Sequence, residues 1–353
     1  MMFRRNQNDT TPMYAAARSL LFKLDAERAH ELTLETFRHF PKLATWPFAH
    51  GAVNDPVELL GLRFANRVGL AAGLDKNGEC LDAWGRLGFG FVEVGTVTPR
   101  AQPGNPKPRM FRLPEHTAII NRLGFNNRGV DYLLERVAGS DYRGVLGINI
   151  GKNFDTPIER AAEDYLVCLR KVWRAASYVT VNISSPNTKN LRELQSEARL
   201  RALLAQLKGE GDRLAQMHGK RTPLLVKIAP DVDDEQLDAI ARVARETGID
   251  GLIATNTTIT RDAVAGHALA GETGGLSGAP LKPLADRTLA ALRKRVGADF
   301  VLIGVGGITC AQDACDKRTA GADLVQIYSG FIYRGPALVR DCADALRRLP
   351  PSR

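Results

Sequence analysis

Eight short apolar runs, most of them followed by a stretch long enough for a helix, constrain this chain more than any other feature. They are Val68–Ala72, Phe91–Gly95, Val145–Ile150, Tyr178–Ile183, Leu224–Ile228, Gly251–Ala254, Val301–Val305 and Leu324–Ile327. Most are rich in Val and Ile and lack strict alternation, which suits strands buried on both faces of a parallel sheet. Between them, Ile158–Ala176, Glu197–Met217, Asp233–Thr247, Leu284–Val296 and Pro336–Leu349 read as amphipathic helices. Strand alternating with helix in this way predicts an α/β fold, a closed parallel (β/α)8 TIM barrel. An open doubly wound sheet is the alternative, but no G-x-G-x-x-G follows the first strand.

Such a barrel needs about 250 residues, and the chain has 353. Part of the surplus is an insertion over residues 96–120, whose run from Pro99 to Arg109 holds four prolines and is no helix. Another part precedes the first strand. Tyr14–Leu24 and Ala26–Phe40 read as two helices parted at Asp25, a good N-cap. Residues 13–48 thus form a small helical extension, residues 1–12 a disordered tail, and residues 49–353 the barrel domain. The extension mixes Leu20, Leu21, Leu24, Leu32, Phe37, Phe40 and Trp46 with Arg18, Lys23, Arg28, Arg38 and Lys42. It fits either a cap packed on the barrel or a cap whose apolar side meets a membrane or a lipophilic ligand.

No window approaches the ~18 apolar residues of a membrane span, and no apolar run follows the basic pair Arg4-Arg5, so a secretory signal is not expected. Five cysteines without a C-x-x-C indicate reduced thiols rather than disulfides or zinc. The formal net charge of +9 is compatible with a membrane surface, an acidic ligand or nucleic acid, and does not choose among them.

Barrel enzymes place their chemistry at the C-terminal ends of the strands, and these ends are polar throughout. They carry Asp75-Lys76-Asn77, Thr96, Asn149, Asn182 through Asn187, Lys227, Thr255-Asn256-Thr257, Gly306-Gly307 and Tyr328-Ser329-Gly330. Buried polar atoms without partners cost about 1–3 kcal/mol each, so eight such ends imply a polar ligand filling the mouth. Gly306-Gly307 and Ser329-Gly330 follow strands seven and eight, where barrels commonly bind phosphate. Gly274 to Gly278 reads as a further flexible, donor-rich loop. Lys76 and Lys227 suit a Schiff-base nucleophile, an anion partner or a charge beside a cofactor. Ser184, Ser185, Thr257 and Ser277 supply hydroxyls. The histidines fall off the strand ends, and carboxylates are scarce in the mouth, so no metal is expected.

Taken in order, Ala71-Ala72-Gly73-Leu74-Asp75-Lys76-Asn77, Asn121 to Asn127, Asn182-Ile183-Ser184-Ser185-Pro186-Asn187, Thr255-Asn256-Thr257, Gly274 to Gly278 and Tyr328-Ser329 resemble the dihydroorotate dehydrogenases. The similarity is to the membrane-associated class that passes electrons to quinone, and it runs from about Tyr14 to near the C-terminus. It implies FMN and the oxidation of dihydroorotate to orotate in pyrimidine synthesis. By position, Ala72, Gly73, Lys76, Thr96, Asn149, Asn182, Lys227, Thr255, Gly278, Gly307, Tyr328 and Ser329 would contact FMN. Lys76, Asn121, Gly124, Phe125, Asn182, Asn187, Asn256 and Thr257 would hold the substrate. Ser185 would be the catalytic base; related soluble classes carry cysteine there. His30, Arg112 and Tyr328 would lie near the quinone. The implied partners are a membrane quinone and the cytoplasmic face of the cell membrane, bound peripherally, with no nucleic acid and no metal. Two rivals are a dihydrouridine synthase, which would need a cysteine acid and an RNA-binding domain, and a basic barrel that only binds RNA or membrane, which leaves the polar mouth without a purpose.

Overall fold

The computed structural model describes residues 10–49 and 52–350. Eight parallel strands close into a barrel in chain order. They are β1 (Val68–Leu70), β2 (Phe91–Val97), β3 (Val145–Ile150), β4 (Tyr178–Asn182), β5 (Leu224–Ile228), β6 (Gly251–Ala254), β7 (Val301–Val305) and β8 (Leu324–Ile327). β8 returns to β1 with Val325 opposite Val68, which completes the ring. Every residue of these strands is buried, the result expected of a sheet covered on both faces.

The N-terminal end of the barrel is plugged by aromatic rings. Phe91 and Tyr178 point inward, and Phe64 packs edge-on against Phe91 at 5.2 Å between centroids. Two strand glycines make the room: a Cβ at Gly69 would come within 2.3 Å of Phe91, and one at Gly147 within 2.2 Å of Tyr178. A hairpin of Val57–Leu59 and Leu62–Phe64 closes this end from below. The opposite, C-terminal mouth is left for polar groups.

Two parts of that mouth depart from the sequence reading. The insertion is not merely a loop, and the glycine-rich segment is not a flexible one. Met110–Leu113, Ala118–Asn121 and Gly275–Gly278 form a three-stranded antiparallel sheet across the mouth. Its outer pairing joins residues more than 150 positions apart, so no local pattern announces it. The glycines serve close approach rather than mobility: a Cβ on Gly275 would sit 1.9 Å from Thr257 Oγ1.

The N-terminal segment starts earlier than expected and is more broken. It forms α1 (Pro12–Leu21), α2 (Ala26–His39), α3 (Pro41–Thr45) and a single turn at Trp46–Phe48. Residues 1–9 of the expected tail lie outside the described residues. Asp25 caps α2, accepting from the N–H groups of Glu27 and Arg28 at 3.0 Å each. One side of the segment packs on the barrel. Tyr14 donates to the Ile332 carbonyl at 2.7 Å, and Phe37 meets Trp84 edge-on at 5.2 Å. The remaining side exposes large apolar side chains among charged ones such as Lys23, Arg28, Glu31 and Lys42. Of ten exposed large hydrophobic side chains among the described residues, seven belong to it: Met13, Leu20, Leu24, Leu32, Phe40, Leu43 and Trp46. The segment is therefore a cap packed on the barrel that leaves large apolar side chains exposed.

Candidate active site

A cavity opens at the C-terminal mouth, with about 920 Å³ of atom-free space that includes open solvent. Of the residues assigned to cofactor, substrate, base or quinone, Asn149, His30 and Arg112 stand outside its lining; the others, Ser185 included, line it, whereas Asp75, Asn77 and Ser184 do not.

One end of the cavity is built for an anion. The amide N–H groups of Gly306 and Gly307 line it and donate to no acceptor among the described residues. Those of Ser329 and Gly330 are equally free, at the first turn of the helix Ser329–Arg334. Gly307 has φ +81°, and a Cβ there would meet Lys282 at 2.3 Å, so the backbone is as close as only glycine allows. Ser329 Oγ donates to Ser277 Oγ at 2.8 Å and ties the cradle to the mouth sheet.

The floor is a hydrogen-bonded polar layer. Asn182 Nδ2 donates to Thr96 Oγ1 at 3.0 Å, and Thr96 donates to Asn149 Oδ1 at 2.5 Å. Asn149 thus lies beneath the lining and orients Thr96; its own Nδ2 donates to the buried Glu93 at 2.8 Å. Tyr178 and Gln326 donate to the other Glu93 oxygen at 2.8 and 2.7 Å. Lys227 rises from this layer into the cavity with no hydrogen-bond partner among the described residues. Burial lowers its pKa, against the opposing charge of Glu93. Gln326 Oε1 is also buried without a partner, although the residue lines the cavity. An unpaired buried ammonium and an orphaned amide oxygen call for a polar ligand above them.

The other end is rich in asparagine. Asn187 Nδ2 donates to Asn121 Oδ1 at 3.3 Å, which brings the mouth sheet against the loop after β4. Asn256 Nδ2 donates to Ser184 Oγ at 3.0 Å, joining the loops after β4 and β6. Ser185 is 6% exposed, and its Oγ accepts from the Asn187 N–H at 3.2 Å. Lys76 closes this end; burial, then the charge of Arg109, lowers its pKa to about 8, while Glu27 and Asp75 oppose the shift.

His30, Arg112 and Tyr328 do not share a cavity. Tyr328 lines the main site, and its hydroxyl donates to the Gly73 carbonyl at 3.4 Å. His30 lines a separate polar pocket beneath α2, where burial and then Lys76 push its pKa down to about 3. Arg112 lies under α1, its guanidinium 4.5 Å from the Phe22 ring centre and donating to the Leu21 carbonyl at 3.3 Å.

Sequence reading missed two kinds of residue. Arg192 clamps the loops after β4 and β6, donating to the carbonyls of Ser184 at 3.0 Å and Thr257 at 2.9 Å. Thr188, three residues past Ser185, buries a hydroxyl with no partner among the described residues. Arg192 has no local signature, since its meaning rests on contacts 65 positions apart; Thr188 could have been suspected from its place in the same loop.

A closed barrel whose mouth joins an anion cradle, an unpaired lysine and an asparagine-rich polar pocket has the makings of a cofactor-dependent barrel enzyme. The chain belongs to the dihydroorotate dehydrogenase family, whose model, described as dihydroorotate dehydrogenase, matches residues 56–349. It is 59% identical to a dihydroorotate dehydrogenase (quinone) of Chromobacterium violaceum, over 94% of this chain and 97% of that one. A protein of the same description from Neisseria meningitidis serogroup B is 55% identical, over 95% of this chain and all of its own. Among solved structures, a DHODH of Eimeria tenella in complex with ferulenol superposes with a TM-score of 0.85 at 41% identity, covering 91% and 90% of the two chains.

Proposed function

We propose that this chain oxidises dihydroorotate to orotate, with FMN as cofactor and a quinone as electron acceptor, in pyrimidine synthesis. The observation that carries the reading is the continuity of one cavity from the free N–H groups at Gly307 and Ser329, past Lys227, to Ser185 and the asparagine cluster. A flavin phosphate suits the first, a flavin ring the second and a pyrimidine carboxylate the third.

Gly278, Gly307 and Ser329 would hold the phosphate by backbone donors. Thr96, Asn182, Lys227 and Thr255 would face the ring, with Asn149 supporting them and Ala72, Gly73 and Tyr328 walling the site. Bound FMN supplies the acceptor for the hydride. Lys227 stabilises negative charge that develops beside it. Asn121, Asn187 and Asn256 each offer a donor and an acceptor to the amide edges of the pyrimidine, Asn182 and Thr257 complete the pocket, and Gly124 and Phe125 bring backbone close. Lys76 pairs with the carboxylate. Ser185 Oγ takes the substrate proton, and the unpaired Thr188 hydroxyl offers the next station toward water.

The test is anaerobic. The purified holoenzyme should bleach on adding dihydroorotate, stay yellow with reduced nicotinamide, and recover its colour with a lipophilic quinone. Bleaching by nicotinamide alone would sink the assignment.

A second outcome follows from Lys76. Below about pH 8 its ammonium is charged and pairs with orotate; above that value the proton is lost. Orotate affinity should weaken about tenfold per pH unit above 8, as one ionisation dictates. Lys76→Met should bind orotate weakly at pH 7 and lose this dependence; an unchanged profile would place the carboxylate elsewhere.

The exposed apolar side of α1–α3 supports peripheral contact with the cytoplasmic face of the cell membrane, where a quinone would be met. Among the described residues no helix is long and apolar enough to cross a membrane. His30, on α2 and neutral at working pH, and Arg112, beneath α1, would meet the quinone together with Tyr328.

A further inference from the structure

We propose that Glu27, on α2, is a positioning residue for the substrate half of the site, acting through Arg109 and Asn105. This rests on the functional reading above. Glu27 and Arg109 are both buried, at 5% and 6% exposure. Arg109 Nε donates to both Glu27 oxygens at 3.1 and 3.0 Å, and its Nη2 donates to Oε1 at 2.7 Å. Burial opposes ionisation of Glu27, but Arg109 and the Lys107 ammonium, 3.4 Å away, together outweigh it and hold the carboxyl below its ordinary range.

The fork has a second side. Arg109 Nη1 donates to the carbonyls of Pro103 and Asn105 at 2.6 and 2.7 Å. It therefore sets the curl of the proline-rich loop, which has little secondary structure of its own. The loop in turn aims Asn105. Asn105 Nδ2 donates to the carbonyl of Arg122 at 2.8 Å and to that of Asn187 at 3.3 Å. Those carbonyls belong to the two segments that carry Asn121 and Asn187. One amide group thus staples the backbone of Asn187 to that of Arg122, the neighbour of Asn121, and so joins the segments of two of the three asparagines proposed to grip the pyrimidine. The fit is close: a Cβ on Gly124 would come within 2.9 Å of the Asn105 side chain.

A carboxylate on the segment that presents apolar surface outward therefore fixes the geometry of asparagines inside the barrel mouth. Removing its charge frees the guanidinium to turn, and the loop loses the anchor that aims Asn105. The effect falls on substrate and product binding. The wall facing Tyr328 and the anion cradle are not in this chain of contacts.

The experiment compares Glu27→Gln, Asn105→Ala and the double variant as purified holoenzymes. Orotate affinity is read from the flavin spectrum, and dihydroorotate-driven bleaching gives a KM and a limiting rate. Quinone reoxidation of enzyme reduced with dithionite is the third readout. Both single variants should weaken orotate binding and raise KM about tenfold, with reoxidation within twofold of the parent. The double variant should be no weaker than the weaker single, and Glu27→Asp should recover part of the loss. Asn105→Ala keeps the ion pair intact and decides the matter if Glu27→Gln does not fold. Unchanged orotate binding in Asn105→Ala, or additive losses in the double variant, would overturn the relay. Absence of orotate binding and bleaching in the parent protein would instead overturn the functional reading and the relay with it.

Discussion

Ser185→Ala should leave FMN bound and slow dihydroorotate-driven flavin reduction about 10²- to 10⁴-fold at neutral pH, the usual contribution of a positioned proton acceptor. That is about 3–5 kcal/mol of barrier. Ser185 lies at the asparagine end of the cavity, away from the free N–H groups that would hold the phosphate. Cofactor retention should therefore survive, and the spectrum before substrate is added checks it. A serine is a poor base alone, and no histidine or carboxylate lines this cavity. The hydroxyl must act while losing its own proton, which makes high pH the compensating condition. Reduction by the parent protein should accelerate as pH rises. The variant should regain part of its loss in strong alkali, where hydroxide reaches the substrate carbon directly. Rapid-mixing absorbance at several pH values gives both numbers. Near-parental reduction by Ser185→Ala at pH 7 would move the base to another group.

The barrel was legible because its strands are continuous apolar runs, a property each segment carries alone. β3, β5, β6, β7 and β8 begin and end where the sequence places them. The strand ends were legible for a related reason: a polar group at the end of an apolar run is conspicuous. What escaped notice depends on partners far along the chain. Gly275–Gly278 has poor strand propensity and becomes a strand only because Ala118–Asn121 lies beside it. Arg192 and Asn105 look like ordinary loop residues until the segments they join are known. Asn149, expected at the cofactor, is tied into the polar floor, accepting from Thr96 and donating to Glu93. Sequence position reports which strand a residue ends, not whether its side chain reaches the ligand or supports one that does. The N-terminal helices were ambiguous for a further reason. Their apolar residues outnumber one face, and tertiary packing, such as Phe37 on Trp84 and Phe22 on Tyr333, separates the inward from the outward set.

That outward set carries the second large expected effect. Phe40, Leu43 and Trp46 are 60%, 71% and 75% exposed and sit within seven residues of one another. Full burial of such side chains gives about 1.5–3 kcal/mol each. If insertion into the interfacial region of a bilayer recovers roughly half of that, replacing all three by serine costs about 3 kcal/mol, or about 100-fold in vesicle partition. The cations nearby add to the attraction. Arg28 and Lys42 are exposed on the same segment, and each basic residue near an anionic surface contributes about 1 kcal/mol. Co-sedimentation with vesicles of mixed neutral and anionic lipid should thus fall about 100-fold for the triple variant. For the parent it should weaken as salt is raised, because the charge contribution is screened while the apolar one is not. The three side chains are exposed, so thermal stability should change little. Dihydroorotate-driven flavin reduction should also be unaffected. Turnover with a membrane-embedded quinone should drop, whereas turnover with a short-chain quinone in solution should not. If vesicle binding survives the triple change, the membrane contact lies elsewhere, and the bare apolar side of α1, with Met13 and Leu20, is the next surface to alter.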